Sequence, residues 1–167
     1  MMKTLIKLLM LIAISNPVKG QVEDYLTDQH LDHGTKEFLK ALNTSGGPAL
    51  ETLSKEDARQ VLIGAQAVAD VVLSGIDESE KTIEVDGYKI RLNIVRPEGV
   101  EGELPVFIFV HGGGWILGDY PTHRRMVRDL VVRSGVSAVF VKYTPSPEAQ
   151  YPHAPNENYS YTKTVSA

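Results

Sequence analysis

Val106 to Val110 is an unbroken apolar run that passes directly into His111, three consecutive glycines and Trp115. A strand that is apolar at every position has no face to offer water. The segment Pro105–Val110 therefore predicts a central strand of a parallel sheet, buried on both faces. The glycines behind it place no side chain between the backbone and whatever approaches. They also admit positive φ, which can turn successive N–H groups toward one point. Downstream, His123 to Arg133 reads as a helix with Met126, Val127, Leu130 and Val131 inward. Val136 to Val141 reads as a second apolar strand. Pro145, Pro147, Pro152 and Pro155 mark an extended connection, and Asn156 to Ala167 opens another helix. Strand, helix, strand, helix is the signature of an α/β fold with right-handed crossovers.

The chain before this region has a different period. Thr35 to Leu42 reads as a short helix, followed by a Thr-Ser-Gly-Gly-Pro loop ending at Pro48. Ser54 suits an N-cap, with Glu56 and Asp57 favourable in the first turn. Steps of three and four from Ala58 through Val61, Leu62, Ala65 and Val68 to Leu73 predict one broad buried face, closed by Gly75. Thr82–Val85, Asp86-Gly87 and Tyr88–Val95 then read as a hairpin with a tight turn. Ile90, Leu92 and Ile94 alternate with Arg91, Asn93 and Val95, which predicts one buried and one mostly solvated face. The expected organisation is a leader over 1–20, a helical lead-in over 21–76 and the sheet-forming region over 77–167.

The leader rests on a tripartite pattern: Lys3 and Lys7, an apolar stretch from Leu8 to Ile14, and a polar segment with the small residues Val18 and Gly20. It fits a signal peptide cleaved between Gly20 and Gln21, hence a secreted or periplasmic protein; the alternative is an amphipathic first helix. No cysteine stands at the cleavage site for a lipid anchor. Nor is there any cysteine for a disulfide scaffold, a thiolate metal site or a thiol nucleophile. No apolar run reaches the 18 residues of a membrane span. With 17 basic against 21 acidic residues and a net charge of −4, there is no basic stripe to replace the counterions of a nucleic acid. His30 and His33 lie beside Asp28 and Asp32. A metal site is conceivable there, but the spacing departs from the two-histidine helix motif and a solvated polar segment is favoured. Arg124, Arg125 and Arg128 read by default as a solvated helix face.

For the glycine run three readings compete: a flexible turn, a phosphate loop, or a cradle of N–H donors for the oxyanion of acyl transfer. No Gly-x-Gly-x-x-Gly and no Gly-Lys-Ser/Thr is present, which disfavours phosphate. The strand before and the helix after favour the oxyanion cradle. His111-Gly112-Gly113-Gly114-Trp115, then Gly118-Asp119 and His123, then Tyr143-Thr-Pro-Ser-Pro147-Glu148-Ala-Gln-Tyr-Pro152 together resemble the hormone-sensitive-lipase-like α/β hydrolases, which include many microbial carboxylesterases. The resemblance implies an α/β-hydrolase fold with strand order 1-2-4-3-5, an oxyanion hole from the N–H groups of Gly113 and Gly114, and a loop shaped by Gly112. It implies that His111 braces that loop rather than acting as a base, with Trp115 beside it, and that Tyr143 and Glu148 are structural near the site. Lys142 departs from the pattern, since many relatives carry an acid there.

In that fold the nucleophile, acid and base follow the oxyanion loop in the order Ser, Asp or Glu, His. No serine here stands in a Gly-x-Ser-x-Gly elbow, and His153 falls at the wrong place to be the base. The expectation is the N-terminal part of a serine carboxylic-ester hydrolase, truncated before its nucleophile elbow and inactive alone. The alternative is a short, non-catalytic binding or interaction protein on the same scaffold. The substrate implied is a small-molecule ester, and no cofactor or metal is implied. A chain of this length should also leave the 105–110 strand as a bare, aggregation-prone edge.

Overall fold

A computed structural model describes residues 24–44, 47–67 and 70–165. The leader expected over 1–20 lies outside them. The chain forms two compact units, one up to Pro48 and one from Ala49. In the first, a 3-10 turn at Asp24–Leu26 precedes helix α1, His33–Thr44. Asp32 caps α1 by accepting from Thr35 N at 2.9 Å, while His30 N donates to Asp28 at 2.8 Å. The acids beside the two histidines thus serve the local backbone. No group of three His, Asp or Glu side chains able to hold a metal occurs among the described residues.

The second unit opens with helix α2, Lys55–Ala67, capped by Ser54 Oγ, which accepts from Asp57 N at 3.1 Å. The helix is shorter than its apolar spacing predicts. Residues 70–74 carry no helix, and the chain turns at Gly75, with φ of 87°. Val71 and Val72 are β-branched and favour extended backbone. The broad buried face is also missing: Ala58 is the buried residue of α2, and Val61 is 48% exposed.

A four-stranded sheet follows, built from β1 (Ile76–Val85), β2 (Tyr88–Pro97), β3 (Val106–Phe109) and β4 (Ser137–Lys142) in the order β1-β2-β4-β3. The β1–β2 hairpin keeps register over ten pairs, from Ile76↔Pro97 to Val85↔Tyr88. Asp86 and Gly87, with φ of 50° and 81°, give the doubly left-handed turn that matches strand twist. β2 pairs antiparallel with β4, and β3 lies parallel to β4.

Helix α3 (Tyr120–Ser134) covers one face of the sheet, where Val127 and Val131 meet Val95, Ala138 and Phe140. Helix α4 (His153–Val165) sets Tyr161 against Ile90, Leu92, Val139 and Val141 on the other. This corrects the expectation for β2. Asn93 and Val95 are buried, so both faces of the strand are covered rather than one. β3 stands at the edge of the sheet, as expected for a chain of this length, rather than at the centre that its apolar run taken alone predicts. Phe107, Ile108 and Phe109 are half-buried there, and the flanking Val110 is 45% exposed. On α3, Val127 and Val131 are fully buried while Met126 and Leu130, expected inward, are 56% and 44% exposed. No helix among the described residues is long and apolar enough to cross a membrane.

Candidate functional site

The loop between β3 and α3 is held at its far end by a capping box. Asp119 accepts from Thr122 N at 3.1 Å, and Thr122 Oγ1 accepts from Asp119 N at 3.0 Å. At its near end His111 is buried, 6% exposed. Its ring stacks on Tyr143, 4.4 Å between centroids, and on Phe140 at 5.2 Å. Tyr143 Oη donates to His111 O at 2.9 Å. Burial lowers the His111 pKa and pushes up that of the Tyr143 phenol. Both groups are therefore neutral at pH 7.

Between these anchors the glycines adopt conformations that other residues resist. Gly113 has φ of 129°, and a Cβ there meets Leu117 O at 2.0 Å. Gly114 has φ of 63°, faces open space and is followed by Trp115 at 64°. Gly118 closes the loop: a Cβ on it meets Gly112 O at 2.7 Å and His111 Nδ1 at 2.8 Å. Trp115 is 49% exposed and tilts against Tyr143.

In a trans peptide the C=O of one residue and the N–H of the next lie in one plane and point opposite ways. His111 Nδ1 stands 2.8 Å from Gly112 O. A carbonyl only accepts, so Nδ1 carries the proton, and this bond directs the Gly113 N–H away from the ring. Gly113 O accepts from Ile116 N at 3.3 Å and Leu117 N at 2.9 Å, which directs the Gly114 N–H outward in the same manner. Among the described residues, neither of these two N–H groups donates to another backbone group. Gly112 and Gly113 border a cleft of about 700 Å³, walled by Leu62, His123, Met126 and Leu130. Both donors are oriented and unengaged, and Gly113 borders this cleft, whose lining also includes Gln66, Arg125, Asp129 and Arg133; oriented N–H donors of this kind suit an anionic oxygen.

Glu148 sits across from this loop in an ion pair that the sequence did not announce. Arg59 on α2 grips both its oxygens, at 2.8 and 3.0 Å, and Lys55 reaches it at 3.1 Å. The bond from Arg59, first, holds the Glu148 carboxyl well below the usual carboxylate range. Arg59 lies in an otherwise ordinary helix segment, 89 residues from Glu148, and only a pattern pairing the two positions could have flagged it. Lys142 likewise finds an acid, Glu80 on β1, at 3.3 Å; Glu80 also accepts from the buried Asn93 at 3.1 Å.

Behind α3 is a second cluster read from sequence as solvated. Glu78 on β1 accepts from Tyr120 Oη and from Arg124, whose Nε stands at 2.9 Å. Arg128 Nε donates to Ser74 O at 2.7 Å, so of the three arginines Arg125 is the one largely exposed. His153 lies on α4, 3.4 Å from the buried Glu157, whose carboxylate accepts from Thr144 N and Oγ1 at 2.6 and 2.9 Å.

The chain is similar to known proteins over much of its length. A family model described as the α/β hydrolase fold matches residues 107–167. An α/β hydrolase of Acanthamoeba polyphaga mimivirus is 31% identical over 129 residues, 74% of this chain and 34% of its own length. A carboxylesterase of Mycobacterium tuberculosis is 33% identical over 87 residues, 52% of this chain and 27% of its own. A solved thermostable esterase from Pseudomonas putida aligns with a TM-score of 0.79 at 57% identity, covering 81% of this chain and 42% of that one. A fungal esterase from Rhizomucor miehei gives 0.69 at 39% identity, covering 75% and 40%. The chain thus spans 34% and 27% of these curated relatives and about two fifths of these solved structures.

Proposed function

Since the chain belongs to the hormone-sensitive-lipase-like α/β hydrolases and carries part of their fold, we propose that it supplies the oxyanion-stabilising half of a serine carboxylic-ester hydrolase. The observation that carries this reading is the pair of unengaged N–H groups at Gly113 and Gly114, each directed by an anchored carbonyl across its own peptide plane. On this reading a serine outside these 167 residues attacks the ester carbonyl carbon. The C=O π bond opens to an oxyanion that Gly113 and Gly114 hold, and the intermediate collapses to an acyl-enzyme with loss of the alcohol. Water then releases the acid by the same route. His111 serves here as a brace of the loop, with its ring stacked on Tyr143 and Phe140 and its Nδ1 donating to Gly112 O. One oxyanion donor contributes about 3 kcal/mol of transition-state stabilisation.

The basic start, the Leu8–Ile14 stretch and the small residues before Gln21 support export to the periplasm or medium. N-terminal sequencing of the exported protein then starts at Gln21; recovery of Met1 in the cytoplasm rejects export.

The function is tested with two proteins: the 167-residue chain, and the same chain continued by the remaining part of the Pseudomonas putida esterase. The chain alone is expected to leave p-nitrophenyl acetate at its background rate. The continued chain is expected to hydrolyse it, and Gly113→Ala to abolish that activity. A folded but inert continued chain rejects the esterase reading. Turnover by the 167 residues alone, lost with Gly113→Ala, places the nucleophile within them.

A further inference from the structure

The guanidinium of Arg59 makes more contacts than an ion pair needs. Besides both oxygens of Glu148, its Nε–H donates to Ile116 O at 2.8 Å and its Nη2 to Ser146 O at 3.1 Å. Ile116 O and Leu117 N–H belong to one peptide plane, so fixing the carbonyl fixes the direction of that N–H. Leu117 N–H is the closer of the two donors on Gly113 O, at 2.9 Å. Gly113 O and Gly114 N–H in turn share a plane. The other donor is secured in parallel: Ser146 N holds Trp115 O at 2.7 Å, which directs Ile116 N–H onto Gly113 O at 3.3 Å. Arg59 also donates to the Ser146 carbonyl, in the peptide that follows the Ser146 N–H.

We propose that Arg59 is a positioning residue that aims the Gly114 N–H through two hydrogen-bonded peptide planes, first Ile116–Leu117 and then Gly113–Gly114. The inference rests on the oxyanion reading for its catalytic meaning and on geometry alone for the relay. Gly113 is aimed separately, by His111 through Gly112 O. The two N–H groups therefore respond differently to a change at position 59. Hydrogen bonds in series also polarise one another, so the bond from a charged donor strengthens each step toward Gly114. A lysine cannot take over. Its single ammonium can keep the pair with Glu148, but it lacks the fixed fork that spans Glu148, Ser146 and Ile116 together.

The test uses the continued chain described above, labelled with 15N-glycine, as Arg59→Lys and Arg59→Met. In both variants the Gly114 amide resonance is expected to move and its hydrogen exchange to quicken, while the Gly113 amide holds its place. Folded glycine resonances are resolved from unfolded ones, so a destabilised variant is still readable. Hydrolysis is expected to lose about 10- to 100-fold in kcat with KM nearly unchanged, because the oxyanion exists only beyond the ground state. Rescue of kcat by Arg59→Lys, or equal movement of the Gly113 and Gly114 amides, overturns the proposal. If the unsubstituted continued chain is inert, the esterase reading fails. A selective Gly114 shift then still upholds the relay, and its absence rejects it.

Discussion

Gly113 and Gly114 are neighbours with similar chemistry but different tolerance. A methyl group on Gly113 drives into the Leu117 carbonyl, whereas one on Gly114 meets nothing within 4 Å and carries only the left-handed backbone cost. Gly114→Ala is expected to cost about 1–2 kcal/mol of stability and keep the loop path. Gly113→Ala is expected to displace the 113–117 turn and lower kcat of the continued chain at least about 100-fold. Urea unfolding and steady-state kinetics on the two variants check this split. His111 gives a pH signature. Burial depresses its folded pKa below the ordinary 6.5, so the unfolded chain binds more protons below that value. This contribution to stability is complete above pH 6.5 and is lost as pH falls toward the folded pKa. An NMR titration of the His111 ring is expected to give a midpoint under 6.5; a midpoint above it contradicts the assignment. The glycine run was legible in the sequence because its information is local, three residues in a row. Arg59 was not, because its partners lie 57, 87 and 89 residues away and no periodicity connects such distances.

Elements repeat this contrast. The hairpin could be read because Asp86-Gly87 specifies the turn and alternation specifies the strands. The far face of β2 could not, since Asn93 looks solvent-facing in the sequence, yet it is buried and donates to Glu80. Spacing also could not separate Val127 and Val131 from Met126 and Leu130, because all four fit one helical stripe. The structure separates them. Val127→Ala or Val131→Ala, each removing a fully buried side chain, is expected to cost about 2 kcal/mol. Met126→Ala and Leu130→Ala are expected to stay within about 0.5 kcal/mol in the chain alone. Denaturant midpoints for the four variants test this, and equal losses refute the exposure pattern. Asp119→Ala, which removes the α3 cap and opens the loop's far anchor, is expected to cost about 1 kcal/mol.

At the scale of the molecule, strand order came only with the family resemblance, since hydrophobic pattern identifies strands without ordering them. The order found, β1-β2-β4-β3, leaves β3 paired on one side alone among the described residues. Val106 and Val110 flank that edge at 43% and 45% exposure. The 167-residue chain on its own is therefore expected to self-associate through this edge, and Val110→Lys to shift it toward monomer. Sedimentation at rising concentration measures the effect, and an unsubstituted chain that stays monomeric refutes it.

The order also sets a timetable during synthesis. β2 is complete at Pro97, but the strand that pairs with its open side begins only at Ser137, about forty residues later. At roughly 5–20 residues per second, that side of the hairpin waits about 2–8 s on the ribosome. β3 emerges within the wait and could dock there first, in the slot that belongs to β4. Chaperone capture of the nascent chain should peak between the emergence of Pro97 and that of Lys142, then fall once β4 slides in.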